Sequence, residues 1–411
     1  MASSRQLGGT LEDHLAAFRR GAVELIDERE LEKRVRQALA DDQPMRIKFG
    51  MDPSSPDLHL GHAIPLFKLR DLQALGHHIV LIVGDATAMV GDPSGRSKLR
   101  PVLTREQVAA NLETYTNQAA LVLDLERTEI VRNASWFDGM GFEGILQLTT
   151  RMTVAQMIER DTFQERLGAG EPVGINEFLY PLMQGWDSVE VRADVELGGT
   201  DQLFNLLVGR RLQEQDSQRP QVIVTTPLVN GLDGRKMSKS YGNAVGLTAS
   251  AREMTFDLMR LDDESMGVWF LQLTRLPEEQ IAELLEGHPR LAKARLAAEI
   301  SGCFHGAEAA AAAAEAFNRE VRDKQLPADI PEVHWDPAFG STRALANLLK
   351  DVGLVQTTSE GRRAVDQGGV RWNAEVQKDP RCEMPEPNEP VLIQVGKKRF
   401  TRLLPAAPAE S

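Results

Sequence analysis

Between residues 11 and 40, apolar side chains recur at helical spacing (Leu11, Leu15, Phe18, Val23, Leu25, Ile26, Leu31, Val35 and Leu39), which predicts one or two amphipathic helices. Arg46-Ile47-Lys48-Phe49-Gly50-Met51 is a short, mostly apolar run stopped by Asp52-Pro53. A helical pattern follows from about His62 to Leu75, and Gly76 breaks it. His78 to Val83 is then a β-branched run ending at Gly84-Asp85, as a buried parallel strand would be. The three together predict a βαβ unit. Further strands are expected at Ile130–Arg132, Ala193–Leu197 and Val222–Thr225, between helical stretches around 104–122, 142–168 and 202–215. Such alternation favours an α/β fold with a doubly wound parallel sheet, whose ligands sit at the carboxyl ends of the strands. From about Ser250 the pattern is helical and includes the alanine-rich run Ala307–Ala316. Pro327, Pro331, Pro337 and Gly340 predict a linker before a small basic α+β module.

Composition narrows the classes. A chain of 411 residues with 42% hydrophobic and 26% charged residues has the mix of an ordinary globular protein and room for two or three domains. Cys303 and Cys382, far apart and only two, cannot by themselves form a four-ligand zinc site and point to a reducing, cytoplasmic setting. The first thirty residues, with Glu12, Asp13, Arg19, Arg20, Glu24 and Asp27, lack the apolar core of a signal peptide. No stretch reaches the about 18 apolar residues of a membrane span. The net charge of −13 and 5% aromatic content argue against a chain that is a nucleic-acid coat throughout. Charge is unevenly spread, however. Residues 340–405 hold eleven lysines and arginines against eight acids, a net of +3 that leaves −16 for the rest.

Four loops at predicted strand ends could carry chemistry. In His59-Leu60-Gly61-His62 two imidazoles flank a glycine at a helix start, where free N–H groups attract anions; a plain helix cap reads the same pattern without a ligand. Gly91-Asp92-Pro93-Ser94-Gly95 fits turns alone. In Gly198-Gly199-Thr200-Asp201-Gln202 the glycines permit close backbone approach and Asp201 suits a ribose diol, although a tight strand-to-helix turn explains it equally. Lys236-Met237-Ser238-Lys239-Ser240, with Gly231, Gly234 and Gly242 nearby, suits a mobile loop closing on a polyphosphate, against the reading of a solvated basic loop. Tyr180, Gln184 and Asp187 share one helical stripe and so can line one pocket, with a helix start or kink expected at Pro181.

HLGH followed by KMSKS, each at a strand end, resembles the two signatures of the class I aminoacyl-tRNA synthetases. Within that class the closer match is to the bacterial tyrosyl-tRNA synthetase family, through Asp52-Pro53-Ser54, Gly91-Asp92-Pro93-Ser94-Gly95, Tyr180-Pro181-Leu182-Met183-Gln184-Gly185-Trp186-Asp187 and Gly198-Gly199-Thr200-Asp201-Gln202. Leu345, Ala346, Leu349, Gly361-Arg362-Arg363, Gly368-Gly369-Val370 and Asn373 look like an S4 RNA-binding module. The resemblance implies a Rossmann-like catalytic domain over 1–245 with a dimerisation segment near 110–180. It further implies a helical anticodon-recognition domain over 246–326, a linker over 327–340 and an S4-like domain over 341–411.

It also implies an enzyme that joins L-tyrosine to AMP from Mg·ATP, with release of pyrophosphate, and then transfers it to the 3′ end of tRNA. A homodimer with no membrane partner and no tightly bound metal or organic cofactor is expected. His59, His62, Lys236 and Lys239 would be catalytic. Ser54, Gly61, Gly198, Asp201, Met237 and Ser238 would complete the ATP site. Asp92, Tyr180 and Gln184 would surround the tyrosine ammonium, Asp187 would bind the phenol, and Gln202 would meet the carboxyl group. Arg362, Arg363, Arg371, Lys397, Lys398 and Arg399 would contact RNA. Lys48 stands where the well-studied branch has a tyrosine, and either pairs with Asp187 or points to solvent. The rival readings are a tryptophanyl-tRNA synthetase and a catalytically silent RNA-binding relative.

Overall fold

Six strands form one sheet: β1 (Glu24–Ile26), β2 (Arg46–Met51), β3 (His78–Val83), β4 (Thr128–Arg132), β5 (Val195–Gly199) and β6 (Val222–Thr226), in spatial order β1-β6-β5-β2-β3-β4. A computed structural model describes residues 6–53, 57–94, 104–238, 241–322, 330–396 and 399–406, with the side chains of Glu113 and Arg322 left out. β2 to β6 run parallel and are mostly apolar because helices cover both faces; all five residues from Ile79 to Val83 are buried. From β2 the chain winds outward through β3 to β4, then returns to β5 on the other side of β2 and winds out to β6. The order therefore reverses between β2 and β5, the place where an open α/β sheet forms its ligand crevice, at the carboxyl ends Met51 and Gly199.

The chain divides into two compact units, 1–317 and 318–411, rather than at 245 and 326. In the first, Met254, Leu258, Trp269, Phe270, Leu296 and Ile300 share a core with Phe18, Leu31, Phe67 and Leu72, so the helical stretch after 250 is built into the layer that covers the sheet. Leu25 and Ile26 are not helical. The outer edge of β6 offers unpaired backbone groups, and Glu24–Ile26 satisfies them as an antiparallel strand. The helical stretch expected over 142–168 is three helices, Ala134–Thr149, Val154–Ile158 and Asp161–Gly168, the second started by Thr153 accepting from the Gln156 N–H.

The second unit holds β7 (Glu332–His334), β8 (Thr342–Ala344), β9 (Val370–Trp372), β10 (Glu375–Val376), β11 (Glu383–Pro385), β12 (Val391–Val395) and β13 (Arg399–Leu404). β10-β9-β12-β13-β7 form a sheet, and β11 pairs with β8. Helices Leu345–Asp351 and Thr358–Asp366 pack over a core of Trp335, Leu345, Leu349, Val370, Ile393 and Leu403. The expected linker 327–340 is corrected at its second half. Residues 332–334 pair in parallel with β13 and Trp335 is 1% exposed, because Val333 and Trp335 supply apolar area that a module this small needs.

Candidate active site

Helix Ile175–Glu190 carries the Tyr180, Gln184 and Asp187 stripe. It starts at Ile175 rather than at Pro181: Glu177 Oε1 accepts from the Gly174 N–H (2.7 Å) and Arg166 holds the same carboxylate at 2.5 Å, so the first turn is anchored and Pro181 is tolerated inside. The buried Tyr180 hydroxyl donates to Asp52 Oδ2 (2.8 Å), while Thr87 Oγ1 donates to Asp52 Oδ1 (2.8 Å). Only glycine fits at Gly84, where a Cβ would lie 2.0 Å from Asp52 Oδ1 and 2.3 Å from Thr87 Oγ1.

Asn133 continues the chain of contacts, donating to Thr87 Oγ1 (3.1 Å) and Asp187 Oδ2 (3.2 Å), and Trp136 Nε1 donates to Asp187 Oδ1 (3.0 Å). Burial pushes the Asp187 carboxyl up to about 7, opposed by the Lys48 charge and these two donors. Lys48 neither reaches solvent nor pairs with Asp187. Its Nζ lies 2.8 Å from Glu196 Oε1, both side chains being buried.

A second network joins the remaining tyrosine-site candidates. Asp92 accepts from the Ser94 N–H (2.8 Å), from the Ser94 hydroxyl, and from Gln202 Nε2 (2.9 Å). Asn205 Nδ2 donates to Gln202 Oε1 (2.8 Å) and Gln184 Oε1 (3.0 Å), and the buried Arg160 donates to Asn205 Oδ1 (3.1 Å) while standing 3.7 Å from Asp92. At the end of β5, a Cβ on Gly199 would meet Asp201 Oδ1 at 2.6 Å. Burial, then the neighbouring Asp92 charge, raise the Asp201 carboxyl above the usual carboxylate range.

On the other side of the crevice, His59 precedes helix Leu60–Ala74 and its ring stacks on that of His62 at 3.8 Å. The His59 N–H donates to His62 Nδ1 (3.2 Å), which leaves Nε2–H as the donor of a neutral His62. The Leu60 N–H bonds the Val245 carbonyl (2.9 Å) and the Leu247 N–H the Leu58 carbonyl (3.1 Å), tying the segment after KMSKS to the HLGH turn. A Cβ on Gly61 would touch the His59 ring at 3.1 Å and Met237 Sδ at 3.5 Å, so the two motifs meet at that glycine.

Lys236 is exposed and Met237 buried. The loop is clamped by buried Asn243, whose Oδ1 accepts from the Ser238 N–H (2.8 Å) and whose Nδ2 donates to Asp233 (2.7 Å) and the Lys236 carbonyl (3.2 Å). The Asn243 bond to Asp233, followed by the Arg235 contact, lowers the Asp233 carboxyl to about 2. Ser54 and Lys239 lie outside the described residues.

In the second unit, exposed Arg362 and Arg363 sit on helix Thr358–Asp366, and Arg399 binds Glu360 of the same helix at 2.7 Å. Arg371 is opposite Gln394 in the sheet whereas Arg399 is opposite Val395, so these two arginines lie on opposite faces. Lys397 and Lys398 lie outside the described residues. The sequence alone assigned no site role to Asp52, Thr87, Asn133, Trp136, Arg160, Glu196, Asn205 or Asn243. The available signal was Glu196, an acid inside an otherwise apolar strand.

The family model for class I tRNA synthetases of tryptophan and tyrosine matches residues 40–322. The tyrosine–tRNA ligase of Geobacter metallireducens is 45% identical over 399 residues, covering 95% of this chain and 98% of its own length. That of Aquifex aeolicus is 45% identical over 397 residues, covering 96% and 99%. Among solved structures, a C-terminally truncated mitochondrial tyrosyl-tRNA synthetase of Aspergillus nidulans shares the fold with a TM-score of 0.61, 23% identity, 76% of this chain and 94% of its own. With a doubly wound sheet, with Gly61 of HLGH against Met237 of KMSKS, and with that match over most of its length, the chain belongs to the class I tRNA synthetases of the tryptophan and tyrosine type.

Proposed function

We propose that the chain is a tyrosine–tRNA ligase, which activates L-tyrosine with Mg·ATP and transfers it to the 3′ end of its tRNA. The observation that carries this reading is the 45% identity to tyrosine–tRNA ligases across nearly the whole of both chains. The tyrosine side chain enters the crevice between β2 and β5, with its phenol towards Asp187. Asn133 and Trp136 each donate to one oxygen of that carboxylate and so aim its remaining lone pairs. Tyr180 spends its proton on Asp52, so its oxygen accepts from the substrate ammonium beside Asp92 and Gln184. When the ammonium takes over Asp92, Gln202 Nε2 is released to meet the substrate carboxyl group.

The tyrosine carboxylate attacks the α-phosphorus in line and pyrophosphate leaves, so the protein supplies position and charge rather than a nucleophile. His62 Nε2–H and His59 donate to phosphate oxygens at the helix start. Lys236 and Lys239 hold the leaving pyrophosphate, Ser54 and Ser238 assist, and Asp201 receives the ribose. Gly61, Gly198 and Met237 shape the adenine site. Magnesium arrives on the ATP phosphates; among the described residues no cluster of three or more histidines, cysteines or acids is arranged to hold a metal.

The second unit grips tRNA through Arg362, Arg363, Arg371 and Arg399 with Lys397 and Lys398, and the helices after 250 meet the anticodon. A homodimer forms through the segment near 110–180, where Phe142 and Ile175 are 83% and 84% exposed and Leu146 and Val154 are exposed too. The setting is cytoplasmic, where translation takes place. Exchange of labelled pyrophosphate into ATP, run with each of the twenty amino acids, tests the reading. Tyrosine alone should support it; tryptophan in its place points to the sister specificity, and none to a silent relative.

A further inference from the structure

Lys48 and Glu196 are direct partners in the β2–β5 pairing, at the point where the sheet order reverses and beneath helix Ile175–Glu190. Their side chains are 0% and 1% exposed. Lys48 Nζ has three protons and three acceptors, each at 2.8 Å: Glu196 Oε1, the Gln184 carbonyl and Ser188 Oγ. Glu196 Oε2 in turn accepts from Ser188 Oγ (2.9 Å) and from Gln221 Nε2. Gln184 and Ser188 bound one helical turn, and Asp187 lies within it.

We infer that the buried Lys48–Glu196 pair is a positioning element that fixes the Gln184–Ser188 turn on the sheet and thereby sets which amino acid the pocket accepts. This rests on the tyrosine reading of the pocket given above. A buried ion pair is weak support for stability, since apolar residues of similar volume commonly replace one without loss. What this pair fixes is geometry. It reaches the helix through a main-chain carbonyl and a hydroxyl one turn apart, which an apolar contact cannot imitate with the same register.

Helix Leu203–Gln215 packs closely on the same turn and on the same polar network. A Cβ on Gly185 would come within 3.0 Å of Leu212 and Val208, and one on Gly209 within 2.7 Å of Gln221 Nε2 and 3.0 Å of Ser188 Oγ. The turn is pinned by close helix packing and by the buried ion pair together. Selectivity for a hydroxyl group needs its acceptor held to a fraction of an ångström, and Asp187 inherits that precision from the turn.

The test begins with the wild-type enzyme. If tyrosine does not support pyrophosphate exchange, the tyrosine reading fails before any variant is made. If it does, Lys48→Met/Glu196→Met removes both charges together. The variant should unfold cooperatively and keep kcat for exchange within about threefold, while KM for tyrosine rises at least about tenfold and the tyrosine-to-phenylalanine ratio of kcat/KM falls at least about tenfold. A ratio within twofold of wild type, whatever happens to Tm, makes the pair a structural staple and overturns the inference. Should the double variant fail to fold, Ser188→Ala removes one arm of the network and decides by the same ratio. A fall of threefold or more supports the inference, and a smaller one overturns it.

Discussion

On the side of the crevice proposed for the amino acid, Lys48, Asp187 and Glu196 are buried, and each Lys48 proton and each Asp187 oxygen has a partner at 2.8–3.2 Å. On the side proposed for the nucleotide Lys236 is exposed, and the loop that carries it is held mainly at its base by Asn243. Lys48, Asp187 and Glu196 stand on two strands and a helix, Lys236 on a loop. In the proposed reaction a small molecule with fixed groups is read by buried, fully bonded groups, whereas a triphosphate that must enter, react and leave is met by an exposed loop.

The contrast breaks most sharply at Asp187. Asp187→Ala strands Trp136 Nε1, takes from Asn133 Nδ2 one of its two acceptors and removes the proposed phenol acceptor, so kcat/KM for tyrosine should fall by about 2–5 kcal/mol. Steady-state pyrophosphate exchange reads this directly, and a loss below threefold would take Asp187 out of the pocket. Lys236→Ala should act in the other manner, lowering kcat for adenylate formation by about 100-fold and leaving KM for tyrosine within about twofold, as for a group that works on charge developing in the transition state. A change confined to KM would place Lys236 on the amino-acid side instead.

Shortening the chain after Phe317 keeps the whole first-unit core and removes the second unit. Pyrophosphate exchange should stay near its full rate. Tyrosylation of tRNA should fall at least about tenfold, or about 1.4 kcal/mol, with the loss growing as salt is lowered, because phosphate contacts are then missed most. Equal charging by the two forms would give the second unit another role.

The smallest effect is one of pH. The Asp187 carboxyl sits at about 7 in the folded chain against 3.8 when free, so between those values the unfolded chain releases a proton that the folded chain keeps. Stability contributed at this position is therefore full below pH 4, declines as pH rises towards 7, and is level beyond. Asp187→Asn has no such proton, so its Tm relative to wild type should increase from pH 5 to pH 8. A constant difference would mean that the carboxyl titrates at its ordinary value.

The sheet could be read from the sequence where its strands are buried on both faces, because β2, β3, β5 and β6 then appear as short apolar runs. The loops at their ends were legible for the same reason, since HLGH, GGTDQ and KMSKS follow such runs. β1 was not, because three apolar residues after an amphipathic helix fit its period, and only the open edge of β6 decides the matter. Pro181 misled in a similar way: a residue that prefers a first turn sits inside the helix once Arg166 and Glu177 anchor the turn before it. Lys48 and Glu196 were each visible as a charge inside a mostly apolar strand. Their pairing was not, because which residue of β2 faces which residue of β5 is a property of the assembled sheet.

β7, the first strand of the second unit, pairs with β13, the last. During synthesis the first unit has all six of its strands by residue 226 and its core by residue 300, and can fold while the rest is still being made. The second unit cannot close in stages. Val333 and Trp335 wait for Leu403 and Leu404 before their backbone and apolar surface are covered. A ribosome that stalls between these points holds out a finished catalytic unit trailing a sticky, unpaired strand, which makes this interval the stretch of translation where chaperones and proteases have the most to recognise.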